Sequence, residues 1–460
     1  MRLAITFLSI LFLSAISPAQ ETDALTAQVL QELERSCVAD ANFNAMHNAL
    51  VQTDGRKLAL DWEKIVKVDP YFSNKLEDEK VTDQKSSGRC WMFSGLNIFR
   101  RGAANVLGSG DFEFSQSYLF FYDKLEKANI FLDAITRSKV KPYTDRFVEW
   151  LFRTPIQEGG NWLGFIELVK KYGVVPKDVM PETFNTSNSA AVDGILALCL
   201  KVAGVRIREA ASEGEIRSIR EHALKDVYKI LALNFGLPPE QFQWRYETKD
   251  KKLASLKTYT PQEFYHEVTH DALDDYLALY AIPTLPTNKK YEIDLDRALI
   301  DRPNMFFVNC TIDQLKELAK KCLLDNQPVW FGCDVGQDFS RDDGLLMSGV
   351  HDYESVYEID FALSRKELFE TYSSIPNHNM VFTGVDIVDA KPTKWLVENS
   401  WGDKIGKKGF LTMTDEWFDR YVEVIVVNKR YIPDSLRSVF ASKAEVLPPW
   451  DPMMRALGYE

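Results

Sequence analysis

A chain of 460 residues is too long for one ordinary hydrophobic core and has room for about three domain-sized units. Its 45% apolar and 27% charged content is that of a globular protein rather than a disordered or low-complexity one. The 55 Lys and Arg against 67 Asp and Glu leave a net charge of −12, with no dense basic cluster, which argues against a nucleic-acid partner.

The N-terminus reads "MRLAITFLSILFLSAISPAQE": Arg2, an apolar run over residues 3–16, then Ser17-Pro18-Ala19. A charged start, a short apolar run and a small-x-small site are the parts of a signal peptide, expected here over residues 1–19 with cleavage after Ala19. An uncleaved anchor is the weaker alternative, because the run falls short of the roughly 20 apolar residues that span a bilayer. The mature protein is therefore expected to be exported, periplasmic or secreted, with no membrane span after cleavage.

Residues 22–55 read as helical, ending near Asp54-Gly55, within an N-terminal extension over 20–80. From about 81 to 187, helices alternate with Gly-rich turns, among them "EGGNW" at 158–162. Residues 188–236 are strongly helical, and "FQWRYETKDKKLASLKTYT" has the β-formers and charged turn of a hairpin. Thr260-Pro261-Gln262-Glu263 is a capping-box pattern with Pro at the first helical position, so a helix opens there. From about 328 onward β-rich runs dominate: "PVWFGCDV", "HNMVFTGVDIV", "TKWLVENSW", "KGFLTMT" and "VEVIVV". A helical part followed by a β part predicts an α+β fold. The Pro-rich tail, residues 446–460, is expected to be extended.

Six cysteines are present without a C-x-x-C or a dense framework, so most are expected to be small buried apolar residues. Cys90 is different. It follows the turn-like "SSGR" and opens "CWMFSGLNIFRRGAANVL", placing it at a helix N-terminus, where thiol pKa values fall. A nucleophilic thiol needs a base and a group that orients the base. Among six histidines, His378 begins the β-like run "HNMVFTGVDI", and Asn399 followed by Trp401 ends the next one, so a hairpin would set an amide beside the imidazole. Gln84, upstream across the turn, can offer a side-chain amide beside the Cys90 N–H as a two-donor oxyanion hole.

Gln84, Cys90-Trp91, His378 and Asn399-Ser400-Trp401-Gly402 in this order resemble the papain-like cysteine proteases. The longer strings "QKSSGRCWMFS", "WFGCDVG", "KWLVENSWG", "KGFLTMTDEWF" and "LPPWDPM" resemble the bleomycin hydrolase and aminopeptidase C group within them, over nearly the whole chain after residue 19. The separation from Cys90 to His378 is about twice the 130–150 residues of papain-type signatures, which leaves room for a large insertion.

The resemblance implies a two-lobe fold: a helical lobe with the cysteine over 81–187, a mainly helical insertion over 188–300 that helps build a hexamer, a β lobe over 301–445, and a C-terminal arm over 446–460 lying in the active-site cleft. It further implies Cys90 as nucleophile, His378 as base, Asn399 orienting His378, Trp401 shielding that pair, and Gln84 in the oxyanion hole. Gly159 and Gly160 match glycines that bind the substrate backbone, and the terminal carboxylate of Glu460 would meet the substrate's α-amino group. Neither metal nor organic cofactor is implied, and the substrates would be peptides. The sequence departs from the group in the longer ending "MMRALGYE" and in Asn379, where a small residue commonly follows the histidine.

One motif points elsewhere. "FYHEVTH" contains His266-Glu267-Val268-Thr269-His270, the H-E-x-x-H of zinc peptidases. The nearest candidate third ligand, Glu292, lies in a strand-like stretch rather than on a second helix. Two partly exposed histidines on an insertion helix is the expected reading. His47, His222 and His351 have no partner motif.

Overall fold

The computed structural model describes residues 24–38, 42–77, 80–269 and 273–457. The expected signal segment 1–19, His270 and Glu460 lie outside the described residues. The chain divides into two compact units, residues 1–59 and 60–460.

In the first unit, helices run over Ala27–Val38, Phe43–Leu50 and Gly55–Leu58. The helix stop expected at Asp54-Gly55 is instead a start. The Asp54 carboxylate accepts a hydrogen bond from Arg56 N at 2.9 Å and so caps the third helix.

In the second unit, three helices form the wall that carries Cys90. Cys90–Leu107 ends at Gly108, whose φ of 61° closes it in the left-handed conformation. Gln116–Arg137 begins at Ser115, which caps Tyr118 N, and Trp162–Tyr172 begins at Asn161, which caps Gly164 N. Phe99, Trp162 and Phe165 pack ring on ring between the first and third. The strongly helical stretch folds as Ala190–Glu209 and Glu213–Phe235, which pack on each other and on Gln116–Arg137. The expected hairpin pairs Phe242–Trp244 with Lys257–Tyr259, and the capping box at Thr260 and Glu263 starts Pro261–Val268.

Among the described residues one long mixed sheet supplies the second wall. Its central strands are Val422–Asn428, Val329–Cys333, His378–Val388, Lys391–Glu398 and Phe410–Thr414, each antiparallel to the next. The expected boundary at residue 300 does not coincide with the start of this sheet. Tyr276–Tyr280 and Lys289–Ile293 already belong to it, joined through Phe306–Asn309. Tyr276–Tyr280 is a short all-apolar run without a period of its own, and Lys289–Ile293 alternates over only a few residues, so neither shows its place in the sheet locally. Val329–Cys333 is buried along its whole length, as "WFGC" suggests.

The tail is extended only in part. Glu445–Leu447 adds in parallel to Lys289–Ile293, but Pro452–Leu457 then turns as a 3₁₀ helix. All six cysteines are free, with Cys90, Cys310, Cys322 and Cys333 buried and Cys37 exposed. Among the described residues no helix is long and apolar enough to cross a membrane.

Candidate active site

Cys90 is the first residue of its helix, and the loop before it is held from several sides. Ser87 Oγ donates to Gln84 O at 2.7 Å and Arg89 Nε donates to Ser87 Oγ at 2.9 Å. The fully buried Arg89 guanidinium forms a fork with Glu182, at 3.0 and 2.8 Å. Gly88 N donates to the Glu158 carboxylate.

The antiparallel turn between His378–Val388 and Lys391–Glu398 carries His378 and Asn399 to one end of the sheet. His378 Nε2 and Asn399 Oδ1 are 2.8 Å apart, and the Trp401 ring stacks on the imidazole with centroids 4.6 Å apart. Because an amide oxygen only accepts, the proton lies on Nε2, which leaves Nδ1 as the basic nitrogen. Asn399 Oδ1 also accepts from Ser400 N at 2.7 Å, fixing the amide.

Gln84 joins this end of the sheet through backbone pairing. Gln84 N donates to Ser400 O at 2.8 Å and Gly402 N donates to Thr82 O at 3.0 Å. Ser400 Oγ donates to Gln84 Oε1 at 2.7 Å, while Gln84 Nε2 donates to Ser87 O at 2.7 Å. The amide is thus oriented at both ends, with a second N–H left on Nε2. Nothing in the spacing of the sequence singled out Ser400 for this contact.

Cys90, His378, Asn379, Gln84, Trp401, Glu158, Gly159 and Gly160 line one cavity of about 710 Å³. Met453 and Met454 of the tail line it too and are themselves buried, so the tail enters the cleft before residue 455. A Cβ at Gly160 would stand inside the Trp91 indole, so close backbone approach explains the glycine there. Two lysines one turn apart on Gln116–Arg137 fasten this wall. Lys127 Nζ donates to Gly159 O at 2.7 Å and Gln157 O at 3.1 Å, and the buried Lys124 lies 2.7 Å from Asp193. Sequence reasoning missed both, because a lysine on a helix reads as solvent-facing until its neighbours are known.

The electrostatics correct one expectation. Burial pushes the Cys90 thiol up from 9.0 to about 11, against the opposing pull of backbone N–H groups at Asn379, Trp91 and Cys90 itself. Burial likewise takes the His378 imidazole down from 6.5 to about 4, against its hydrogen bond with Asn399. For each group taken alone, desolvation therefore outweighs the helix N-terminus and the Asn399 hydrogen bond and favours the neutral form. Proton transfer within the pair creates both charges together, and their attraction offsets part of the penalty each would meet alone.

The helix that carries His266 and Glu267 stops short of the motif's last position. Pro261–Val268 ends before the second histidine, with Thr269 extended at φ −118° and ψ 110°. Glu267 is bound by Lys257 at 2.9 Å and Tyr259 at 3.0 Å, and Glu292 accepts from Asn304 at 2.7 Å. Among the described residues no cluster of three metal-ligating side chains is present.

A model of the Peptidase C1-like family matches residues 24–454. Aminopeptidase C of Lactobacillus delbrueckii subsp. lactis is 38% identical over 412 residues, which cover 87% of this chain and 92% of that protein. Human bleomycin hydrolase is 33% identical, covering 94% of this chain and 98% of that protein. The crystal structure of PepW from Lactobacillus rhamnosis superposes with a TM-score of 0.91 at 37% identity, over 94% of this chain and 99% of that one.

Proposed function

The chain belongs to the Peptidase C1-like family, and from that premise we propose that it is a thiol-dependent aminopeptidase that removes N-terminal residues from short peptides. The observation that carries this reading is the shared cavity. Cys90 at a helix N-terminus, His378 held by Asn399 under Trp401, and two methionines of the C-terminal tail meet there, with Cys90, His378, Trp401 and both methionines in its lining.

In the proposed reaction His378 Nδ1 takes the Cys90 proton as Sγ attacks the scissile carbonyl carbon. The Cys90 N–H and the remaining Gln84 amide N–H receive the developing oxyanion. The imidazolium then gives its proton to the leaving amine as the C–N bond breaks, leaving a thioester on Cys90. Water attacks the thioester with His378 as base, releasing the amino acid and restoring the thiol. Asn399 keeps the Nε2–H tautomer throughout, and Trp401 covers that hydrogen bond. Gly159 and Gly160 leave backbone close to the substrate. The tail narrows the cleft so that only a free N-terminus fits, with the terminal carboxylate of Glu460 as a counter-charge.

Two further parts of the reading concern the whole protein. Residues 1–19 would be a signal peptide and the mature protein exported. It would also assemble as a homo-oligomer, a hexamer by resemblance. Ile195, Leu198, Val202 and Val205 support assembly, since they form an exposed apolar stripe on Ala190–Glu209 opposite its buried face.

The deciding experiment compares a fluorogenic amino-acid amide with its N-blocked twin, each with reductant, an epoxysuccinyl thiol inhibitor, or a chelator. Cleavage of the free-amine compound alone, stopped by the epoxide and not by the chelator, is expected. Inhibition by the chelator with no response to the epoxide would overturn it.

A further inference from the structure

The side chain that meets the nucleophile in this structure is Asn379. Cys90 Sγ lies 3.6 Å from Asn379 Oδ1, with the thiol as donor. Asn379 pairs across the sheet with Gly332, and a Cβ at that position would come within 2.8 Å of Asn379 Nδ2 and 2.7 Å of Val424 Cγ1. The bare backbone at 332 is what leaves room for the Asn379 amide in the cavity. Met453 and Met454 of the tail line the same cavity.

This places a neutral acceptor beside the reacting sulfur. A carbonyl carbon under attack approaches Sγ to about 3–3.5 Å. The α-nitrogen of an N-terminal residue is two bonds, about 2.5 Å, from that carbon. An acceptor one hydrogen bond of about 2.9 Å from the α-nitrogen then falls a few ångströms from the sulfur, where Oδ1 stands. The chemistry of the step favours the same exchange. Once the thiol proton has moved to His378, the thiolate has nothing to donate, and Oδ1 faces a negative sulfur without a partner. An α-ammonium supplies a cationic donor, which neither water nor an acylated nitrogen does. Among the other oxygen-bearing side chains that line the cavity, the one carboxylate, Glu158, is already committed to Gly88 N on one oxygen and faces Lys124 at 3.9 Å on the other.

We propose that Asn379 Oδ1 accepts a hydrogen bond from the substrate's α-ammonium group, so that preference for a free N-terminus is built into the His378 strand as well as into the tail. The proposal rests on the aminopeptidase reading above.

The test uses the full-length enzyme with two fluorogenic amides, an amino-acid amide and the same acyl group lacking the α-amino group. The wild-type ratio of kcat/KM, free amine over desamino, is expected to fall on the order of 10- to 100-fold in Asn379→Ala, the loss of a hydrogen bond to a charged group, and chiefly through KM. Stoichiometric labelling of Cys90 by the epoxysuccinyl inhibitor, lost when the protein is unfolded in urea, reports that the site is formed. Should the alanine variant not fold, Asn379→Thr against Asn379→Val gives the same reading, since the two share a shape and only one keeps an acceptor. A ratio unchanged in Asn379→Ala, or equal in the Thr and Val variants, overturns the proposal while the wild-type preference stands. A wild-type enzyme without that preference overturns the aminopeptidase reading and this proposal together.

Discussion

At the scale of single residues, the three groups around the sulfur differ in what their loss removes. Cys90→Ala removes the nucleophile, and turnover is expected to vanish with the fold intact, checked by circular dichroism beside the fluorogenic assay. His378→Ala removes the proton carrier and should be comparably severe, a loss on the order of 10²–10⁴-fold or more. Asn399→Ala should cost less, because the amide orients the imidazole and takes no proton; an Asn399 variant as inactive as the His378 one would contradict that ranking.

The buried imidazole also makes a prediction about pH. Held down to about 4 against 6.5 in a free chain, it contributes stability above pH 6.5 and loses it as pH falls through that window, by a total on the order of 3 kcal/mol. Asp193 and Asp296, raised by burial to about 6, act in the opposite sense over the same range. The difference in urea stability between wild type and His378→Ala isolates the imidazole, and should shrink from pH 6.5 to 4. A difference flat across that range would contradict a lowered imidazole pKa.

At the scale of elements, the helix Ala190–Glu209 has two apolar faces. Val192, Leu196, Leu200, Ala203 and Ile207 are buried against the body of the second unit, whereas Leu198 remains 65% exposed in the stripe described above. A face of this kind buries its apolar area only against another surface. Leu198→Glu is therefore expected to lower the mass measured by light scattering without altering the far-UV spectrum. An unchanged mass would count against the proposed assembly through this helix.

Elements also show where sequence and structure part. The Thr260 capping box, the charged hairpin turn and the buried "WFGC" strand were legible because each signal is contained within a few adjacent residues. The strand at 276–280 was not, and the strand-like stretch around Glu292 was not placed in the sheet, since both assignments depend on partners at 306–309 and 422–428. The helix opened by that capping box stops at Thr269, a boundary the H-E-x-x-H pattern did not show.

At the scale of the whole molecule, the tail reaches the cavity that holds Cys90. Leu447 is fixed by pairing with Ile293, the Arg146 guanidinium lies 4.7 Å over the Trp450 ring, and Met453 and Met454 follow into the cleft. Truncation after Pro449 is expected to open the cleft, so that N-blocked amides and internal peptide bonds become substrates, while the share of the free-amine preference carried by Asn379 remains. Continued rejection of the blocked substrate by the truncated protein would place the selection elsewhere.

The sequence by itself determined which chemistry-bearing residue types are present, their order, and the local starts and stops of the elements that carry them, because caps, turns and periodic patterns act over a few residues. Only the tertiary structure decided the contacts between distant segments: Ser400 on Gln84, Lys127 on Gly159, and Asn379 on Cys90. It also decided which force dominates at the thiol. A thiol at a helix start reads as acidic in sequence, but burial is the sum of everything packed around it, and here desolvation prevails over the local helix terminus.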